Sequence, residues 1–283
     1  MYAFLALGLV IIYRGSGHLN FAQGEMAMIS AFLAWWLADG GVGLWGAVAI
    51  SAAVSFVIAM GIERFMIRPI GHRSQFAVVV ASIGLFLGFN ALAPFVWKVT
   101  IPEAFGSLFP DAADDFIRIG GAEWRKENIG VLVVLAVTSA LLWVLFQRTK
   151  FGLAMRAVAS NPESSPLVGI RAGQVLAVSW GLAATVGAIG GALVGSLRGN
   201  VDASMMFTIF FAATAAATLG GYDSLLGAVF GGLVLGVFES MVAGYQSDLI
   251  GQELKGVVSL LVILGVLLIR PAGLFGSQRV ERV

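Results

Sequence analysis

RTKFGLAMRAVASNPESSPLVGI, running from Arg148 to Ile170, is a basic, turn-punctuated stretch lodged between two long apolar runs. Arg148, Lys150 and Arg156 stand there against the acid Glu163. Short loops rich in Lys and Arg stay on the cytoplasmic side of a membrane. The stretch therefore reads as a surface that a cytoplasmic partner can grip, not as a span.

The surrounding chain makes that reading a membrane reading. Its 283 residues are 59% hydrophobic and 12% charged, with a mean hydropathy of +0.93, far from the roughly 25% charged residues of a soluble domain. The composition is that of a polytopic membrane protein within a lipid bilayer. A net charge of +1 argues against a nucleic-acid partner, which calls for a clustered basic face. Cysteine is absent, so disulfides and thiolate metal sites are excluded. The first apolar run has no basic residue ahead of it, so a cleavable signal peptide is not expected.

A helix crossing the hydrocarbon core needs about 20 mostly apolar residues. The segments that qualify are Ala22 to Ala38, Trp45 to Ile62, Phe76 to Trp97, Ile129 to Phe146, Gln174 to Leu197, Met205 to Leu219, Leu225 to Ala243 and Val257 to Ile269. The sixth is short enough to be re-entrant. A ninth candidate, Met1 to Tyr13, is short alone, and either continues to Asn20 past Gly15 and Gly17 or has further residues upstream. Arg64, Arg68 and Arg73 lie in one connection, Arg148, Lys150, Arg156 and Arg171 in another, and Arg270, Arg279 and Arg282 in the tail. Alternating spans bring these together on one side, the cytoplasmic one. The connection Lys98 to Asn128, with Glu103, Asp111, Asp114, Asp115, Glu123 and Glu127 against Lys98, Arg118, Arg125 and Lys126, then lies outside. The expectation is an all-α, polytopic transmembrane helical bundle of about eight or nine spans, with the N-terminus out and the C-terminus cytoplasmic. It forms one membrane domain over residues 1–283, with an extracytoplasmic loop at 98–128 and a cytoplasmic insert at 148–173. The hairpin turn Gly220 to Ser224 is cytoplasmic by parity although it carries only Asp223. Glycines spaced at three or four residues, such as Gly187, Gly190, Gly191 and Gly195, predict faces along which helices approach closely.

Within the insert, apolar residues and Arg156 recur at helical spacing from Phe151 to Ala159. Ser160, Asn161, Pro162 and Glu163 then read as a capping box. The second helix ends near Gly169, and Pro166 limits it to about one turn. A solvated connector is the plain alternative. A second polar cluster, His18 to Glu25, sits at the cytoplasmic junction of the first two spans, with Glu25 in the first turn of a helix where the dipole favours an acid. Either simple capping or a broken helix lining a path explains it. Glu239, late in a span, is placed near the outer interface, within reach of water. His18 and His72 are the histidines, and no HExxH pair or other metal-ligand spacing occurs. The absence of a GxxxxGK[ST] sequence means that this chain does not hold ATP by a P-loop.

LNFAQGE (Leu19 to Glu25), ERFMIRPI (Glu63 to Ile70), the insert, and the run from LGGYDSLLGAVFGGLVLGVFES to RPAGLFG resemble, in this order, the permease subunits of branched-chain amino acid ABC importers of the LivH type. The resemblance implies a non-catalytic subunit of the prokaryotic inner membrane, with no cofactor of its own. It also implies a LivM-type second permease, two cytoplasmic ATP-binding subunits that carry ATP and Mg, and an extracytoplasmic solute-binding protein. The ERFMIRPI stretch corresponds to a cytoplasmic loop of that family. Arg156, Asn161, Pro162, Glu163 and Gly169 match the region that docks on the ATPase. Asn20, Phe21, Ala22, Gly24 and Glu25 match a stretch expected near the translocation path, to which Gln23 and Glu239 are added. Two departures stand out: Gln23 where the family often has His, and Pro166 where it more often has a helix-compatible residue. The rival reading is an ion- or proton-coupled secondary transporter using Glu25 or Glu239, which calls for internal repeats and ionisable groups at mid-membrane.

Overall fold

A computed structural model describes residues 1–71, 74–99, 101–110, 115–119, 122–161, 164–245, 255–270 and 272–276. The chain is mostly helical: α1 (Tyr2–Ser16), α2 (Gln23–Asp39), α3 (Leu44–Ile62), α4 (Arg68–Gly71), α5 (Gln75–Trp97), α6 (Lys126–Arg148), α7 (Lys150–Ser160), α8 (Ala172–Arg198), α9 (Phe207–Gly220), α10 (Leu225–Tyr245) and α11 (Lys255–Ile269). Five helical runs, those of α3, α5, α6, α8 and α10, are long and apolar enough to cross a bilayer. Helix α1 is shorter but apolar all round and buried along nearly its whole length, as a helix in the centre of a bundle must be.

The core is built around α8, which packs on α1, α2 and α3, while α9 and α10 close over the other side of α1. Small residues make this possible. A Cβ added to Gly191 would strike the Ala27 carbonyl of α2, and one added to Gly190 would crowd Phe4 of α1. Between helices in lipid such close approach supplies the dispersion contacts that hold them together. By contrast, α5, α6 and α10 turn many large aliphatic and aromatic side chains outward, among them Leu87, Phe95, Leu141 and Val237.

All the insert-side features gather at one end. Gly15 near the end of α1 lies against Met155 and Leu176, Arg14 stacks over Phe146 at 5.7 Å, and Tyr13 meets Tyr222 at 5.1 Å. The turn after α9 therefore shares an end with α7, as the alternation of spans requires. The opposite end carries two small antiparallel pairings not anticipated from sequence. They are β1 (Glu103–Ala104) with β4 (Asn200–Val201), and a hairpin of β2 (Phe116–Ile119) with β3 (Ala122–Arg125). Ion pairs Lys126–Asp115, Arg118–Glu123 and Arg198–Asp202 lie at this end.

Two expectations change. ERFMIRPI is not a loop: α3 continues as a π-helical turn, Glu63–Ile67, into α4. Arg68 explains why the turn holds. Its Nε and Nη2 bind Glu63 Oε1 at 3.1 Å and Oε2 at 2.5 Å, and Nη2 also donates to the Gly173 carbonyl at the start of α8. The ninth candidate becomes α1, ending at Ser16, where Gly17 adopts a left-handed φ of 73° and returns its N–H to Tyr13 O.

Candidate functional site: a buried helix start and a clamped insert

Between α1 and α2 the chain turns back into the bundle instead of staying at its end. Gln23, the first residue of α2, donates through Nε2 to the Ala183 carbonyl at 2.9 Å. At roughly 1.5 Å per residue, Ala183 lies ~16 Å from one end of α8 and ~22 Å from the other. Gly8, midway along α1, faces the same amide so closely that a Cβ would overlap it. The polar cluster expected at the cytoplasmic junction is thus at mid-depth, because Gly8 and Gly187 leave a slot into which the Gln23 side chain fits. The turn between α1 and α2 is therefore buried against the middle of α8, deeper than capping at a surface would set it.

Local chemistry holds the corner. Asn20, which is buried, accepts the Ala22 N–H on Oδ1 at 3.0 Å and donates to Gln23 Oε1 at 3.4 Å and Met26 Sδ at 3.3 Å. Phe21 packs on Phe210 with ring centroids 6.3 Å apart, and Gly24 admits the Phe210 side chain and the Met206 carbonyl against the backbone of α2. Helix α9 begins at this corner. Glu25, in the first turn of α2, is wholly buried. Its Oε2 accepts from Asn90 Nδ2 of α5 at 3.3 Å, and Asn90 also donates to the Ala203 carbonyl at 2.9 Å. Glu25 Oε1 has no hydrogen-bond partner among the described residues.

Glu239 is covered and does not reach water in this chain. It lies 9% exposed on the face of α10 that meets α1 and accepts from the Tyr2 hydroxyl at 2.5 Å. The reason is the small-residue stripe of that face, where Gly232 abuts Ala3 and draws α10 onto α1. The two acids are not brought together: Glu25 meets α5, and Glu239 meets the start of α1.

In the insert, Thr149 caps α7 by accepting the Gly152 N–H at 3.3 Å. Gly152, Met155 and Val158 form the buried stripe of α7, which packs on α1, α6 and α8. Arg156 turns back: Nη1 donates to Phe146 O at 2.7 Å and Gln147 Oε1 at 3.3 Å, satisfying a carbonyl that the end of α6 leaves open. Ser160 is the last residue of α7, and its hydroxyl donates to Ala157 O. The following turn is capped by Asn161, whose Oδ1 accepts from Ser164 N at 2.9 Å, as an Asn side chain can close a turn on the backbone just ahead of it. Pro162 and Glu163 lie outside the described residues. A single 3-10 turn, Ser165–Val168, follows and stops at Gly169 with φ 81°, as Pro166 and the glycine predict. Leu153, Leu167 and Val168 point outward, at 61%, 86% and 74% exposure.

Sequence reasoning missed Asn90, Gly8 and the Arg68–Glu63 clamp. Asn90 carried a signal, as the lone asparagine inside an otherwise apolar span. Gly8 carried none, since its role exists only through Gln23.

Residues 1–267 match the family described as branched-chain amino acid transport system / permease component. The chain is 28% identical over its full length to the high-affinity branched-chain amino acid transport system permease protein LivH of Escherichia coli K12, covering 93% of that protein. It is 29% identical over its full length to the permease protein BraD of Pseudomonas aeruginosa, covering 94% of it. A more distant likeness, 28% over 72% of this chain and 58% of the relative, joins it to the galactose/methyl galactoside import permease protein MglC of Escherichia coli K12. No solved structure matches the chain. Order of motifs, helical architecture and full-length similarity agree: the chain belongs to the branched-chain amino acid transport system permease family.

Proposed function

We propose that this chain is a membrane-spanning permease subunit of an ATP-driven importer of branched-chain amino acids or related small polar solutes, in a prokaryotic inner membrane. It works beside a LivM-type second permease, two cytoplasmic ATP-binding subunits that hold ATP and Mg, and an extracytoplasmic solute-binding protein. The insert end faces the cytoplasm and the hairpin end the outside, by the weight of arginine and lysine at the former. Nine crossings follow if α1, α2, α9 and α11 each count as one with the five longer runs, and eight if one of the four is re-entrant.

The observation that carries this reading is the mounting of the insert. Its buried stripe is seated on α1, α6 and α8, Arg156 ties α7 to the end of α6, and Leu153, Leu167 and Val168 are left facing outward. A partner that grips those apolar side chains and moves with ATP binding moves α8 and, through the Gln23 hydrogen bond to Ala183, the start of α2. Alternating access then follows from rigid helices rocking about the buried corner.

The test is co-purification in mild detergent of the ATP-binding subunit with the intact chain and with Leu167→Asp and Val168→Asp combined. These side chains are exposed, so the variant folds; recovery of the ATPase with the intact chain and its loss with the variant are expected. Solute uptake that persists without any ATP-binding subunit would instead establish the secondary transporter.

A further inference from the structure

The contact between α5 and the buried corner has an unusual donor balance. A single amide nitrogen, Asn90 Nδ2, serves two acceptors, Glu25 Oε2 at 3.3 Å and Ala203 O at 2.9 Å. Both partners are acceptor-only, so the amide must present its N–H groups there. A third acceptor, Glu25 Oε1, is buried in the same carboxylate and has no donor among the described residues. Two N–H bonds thus face three oxygens, two of them on a carboxylate that bears negative charge when ionised.

A primary ammonium corrects both deficits. It carries three donors and a positive charge, and charge-assisted N–H···O bonds are roughly twice as strong as neutral ones. The walls beside it suit an apolar remainder: Phe210 lies against Gly24, and Phe86, one turn before Asn90 on α5, meets Phe207 with centroids 6.3 Å apart. The element that covers the carboxylate is also lightly held. Helix α5 contacts the body chiefly along α2, and its opposite face is largely exposed.

We propose that the Glu25 carboxylate and the Ala203 carbonyl form a binding site for the primary ammonium group of the transported solute, and that the Asn90 amide holds the same position until α5 swings aside. This rests on the importer reading above and narrows its solute to one bearing an ammonium group. A solute hydroxyl, with one donor and no charge, is a poor substitute.

The experiment uses the complete complex in proteoliposomes. Dicyclohexylcarbodiimide modification of Glu25 is followed by peptide mass spectrometry, with Glu239 as the reference acid in the same chain. Leucine is expected to slow modification of Glu25 about fivefold and leave Glu239 unchanged, whereas 4-methyl-2-hydroxypentanoate, with hydroxyl in place of ammonium, has no effect. Equal protection by both compounds overturns the proposal. In parallel, Glu25→Gln keeps an oxygen for Asn90 and is close in shape, so a purely structural role predicts unchanged leucine uptake, while the ammonium site predicts a loss of about tenfold or more, partly recovered in Glu25→Asp. Unchanged uptake in Glu25→Gln overturns the proposal whether or not the reagent reaches the site. Loss of uptake without any leucine protection of a modified Glu25 marks a proton site and overturns it too. Uptake confined to solutes lacking an ammonium group, such as galactose or urea, overturns the ammonium site while the importer reading stands. Absence of ATP-driven uptake by the unmodified complex defeats the importer reading itself.

Discussion

The buried corner at the start of α2 and the clamped insert end are both held by polar contacts, but the contacts are of opposite kinds. At the corner, short side chains are locked by backbone approach: Gln23 is confined between Gly8, Gly187 and the Ala183 carbonyl. At the insert end, long arginines reach across gaps: Arg68 to Glu63 and Gly173, Arg156 to the end of α6. A locked contact tolerates little change in geometry, because dense packing is not continuously deformable. An arginine can keep its partner over several ångströms of movement. On the importer reading proposed above, the difference places rigidity where a solute is to be discriminated and compliance where a moving partner is to be followed.

The strongest way to break that contrast is Gly8→Leu. The added side chain must displace the Gln23 amide, combining overpacking with a buried group deprived of its acceptor, at a cost of about 3 kcal/mol or failure to insert. Thermal unfolding in detergent, followed by tryptophan fluorescence, should show the largest drop in midpoint of the series. Next comes Arg68→Ala. Glu63 is 1% exposed, so removing its partner strands a buried carboxylate; with Arg68 itself partly exposed, the expected loss is about 2 kcal/mol. The double variant Arg68→Ala, Glu63→Gln should recover about half of it, and no recovery would mean that the Gly173 contact dominates.

Gln23→Leu removes one interhelical hydrogen bond while nearly keeping volume. The expected cost is about 1 kcal/mol, in line with polar contacts between helices in membranes. If it matches Gly8→Leu, the hydrogen bond and not the packing is what locks the corner. The smallest effect on stability belongs to Arg156→Ala, about 0.5 kcal/mol for an exposed cap on α6. Its signature is instead local: faster amide hydrogen exchange across α7 with the α8 core unchanged. An equal acceleration in α8 would show that the insert is not compliant at all.

Most helices were legible because the signals that set them are local. The spans expected at 45–62, 76–97, 129–146, 174–197 and 225–243 coincide with α3, α5, α6, α8 and α10 to within a few residues. The one-turn segment closed by Gly169 was equally readable from Pro166 and the glycine. The acids were harder. Glu25 was rightly set in a first helical turn, but its depth depends on Gly8, far enough along another helix that no window of sequence relates them. Glu239 read as interfacial because its own span said so, whereas Tyr2, at the other end of the chain, covers it.

Hydropathy and charge are sums over neighbours along the chain, so the sequence by itself determined that this is a helical membrane protein, that its basic connections share one end, and that the Arg148 to Ile170 stretch is a surface feature. Which buried polar atom finds a donor, and which is left with an oxygen to spare, depends on helices brought together by folding. The pairing of Gln23 with Ala183, of Tyr2 with Glu239, and the incomplete pairing of Glu25 with Asn90 were decided only by the tertiary structure, because the packing of small residues sets how near two backbones come, and that distance decides which polar groups can meet.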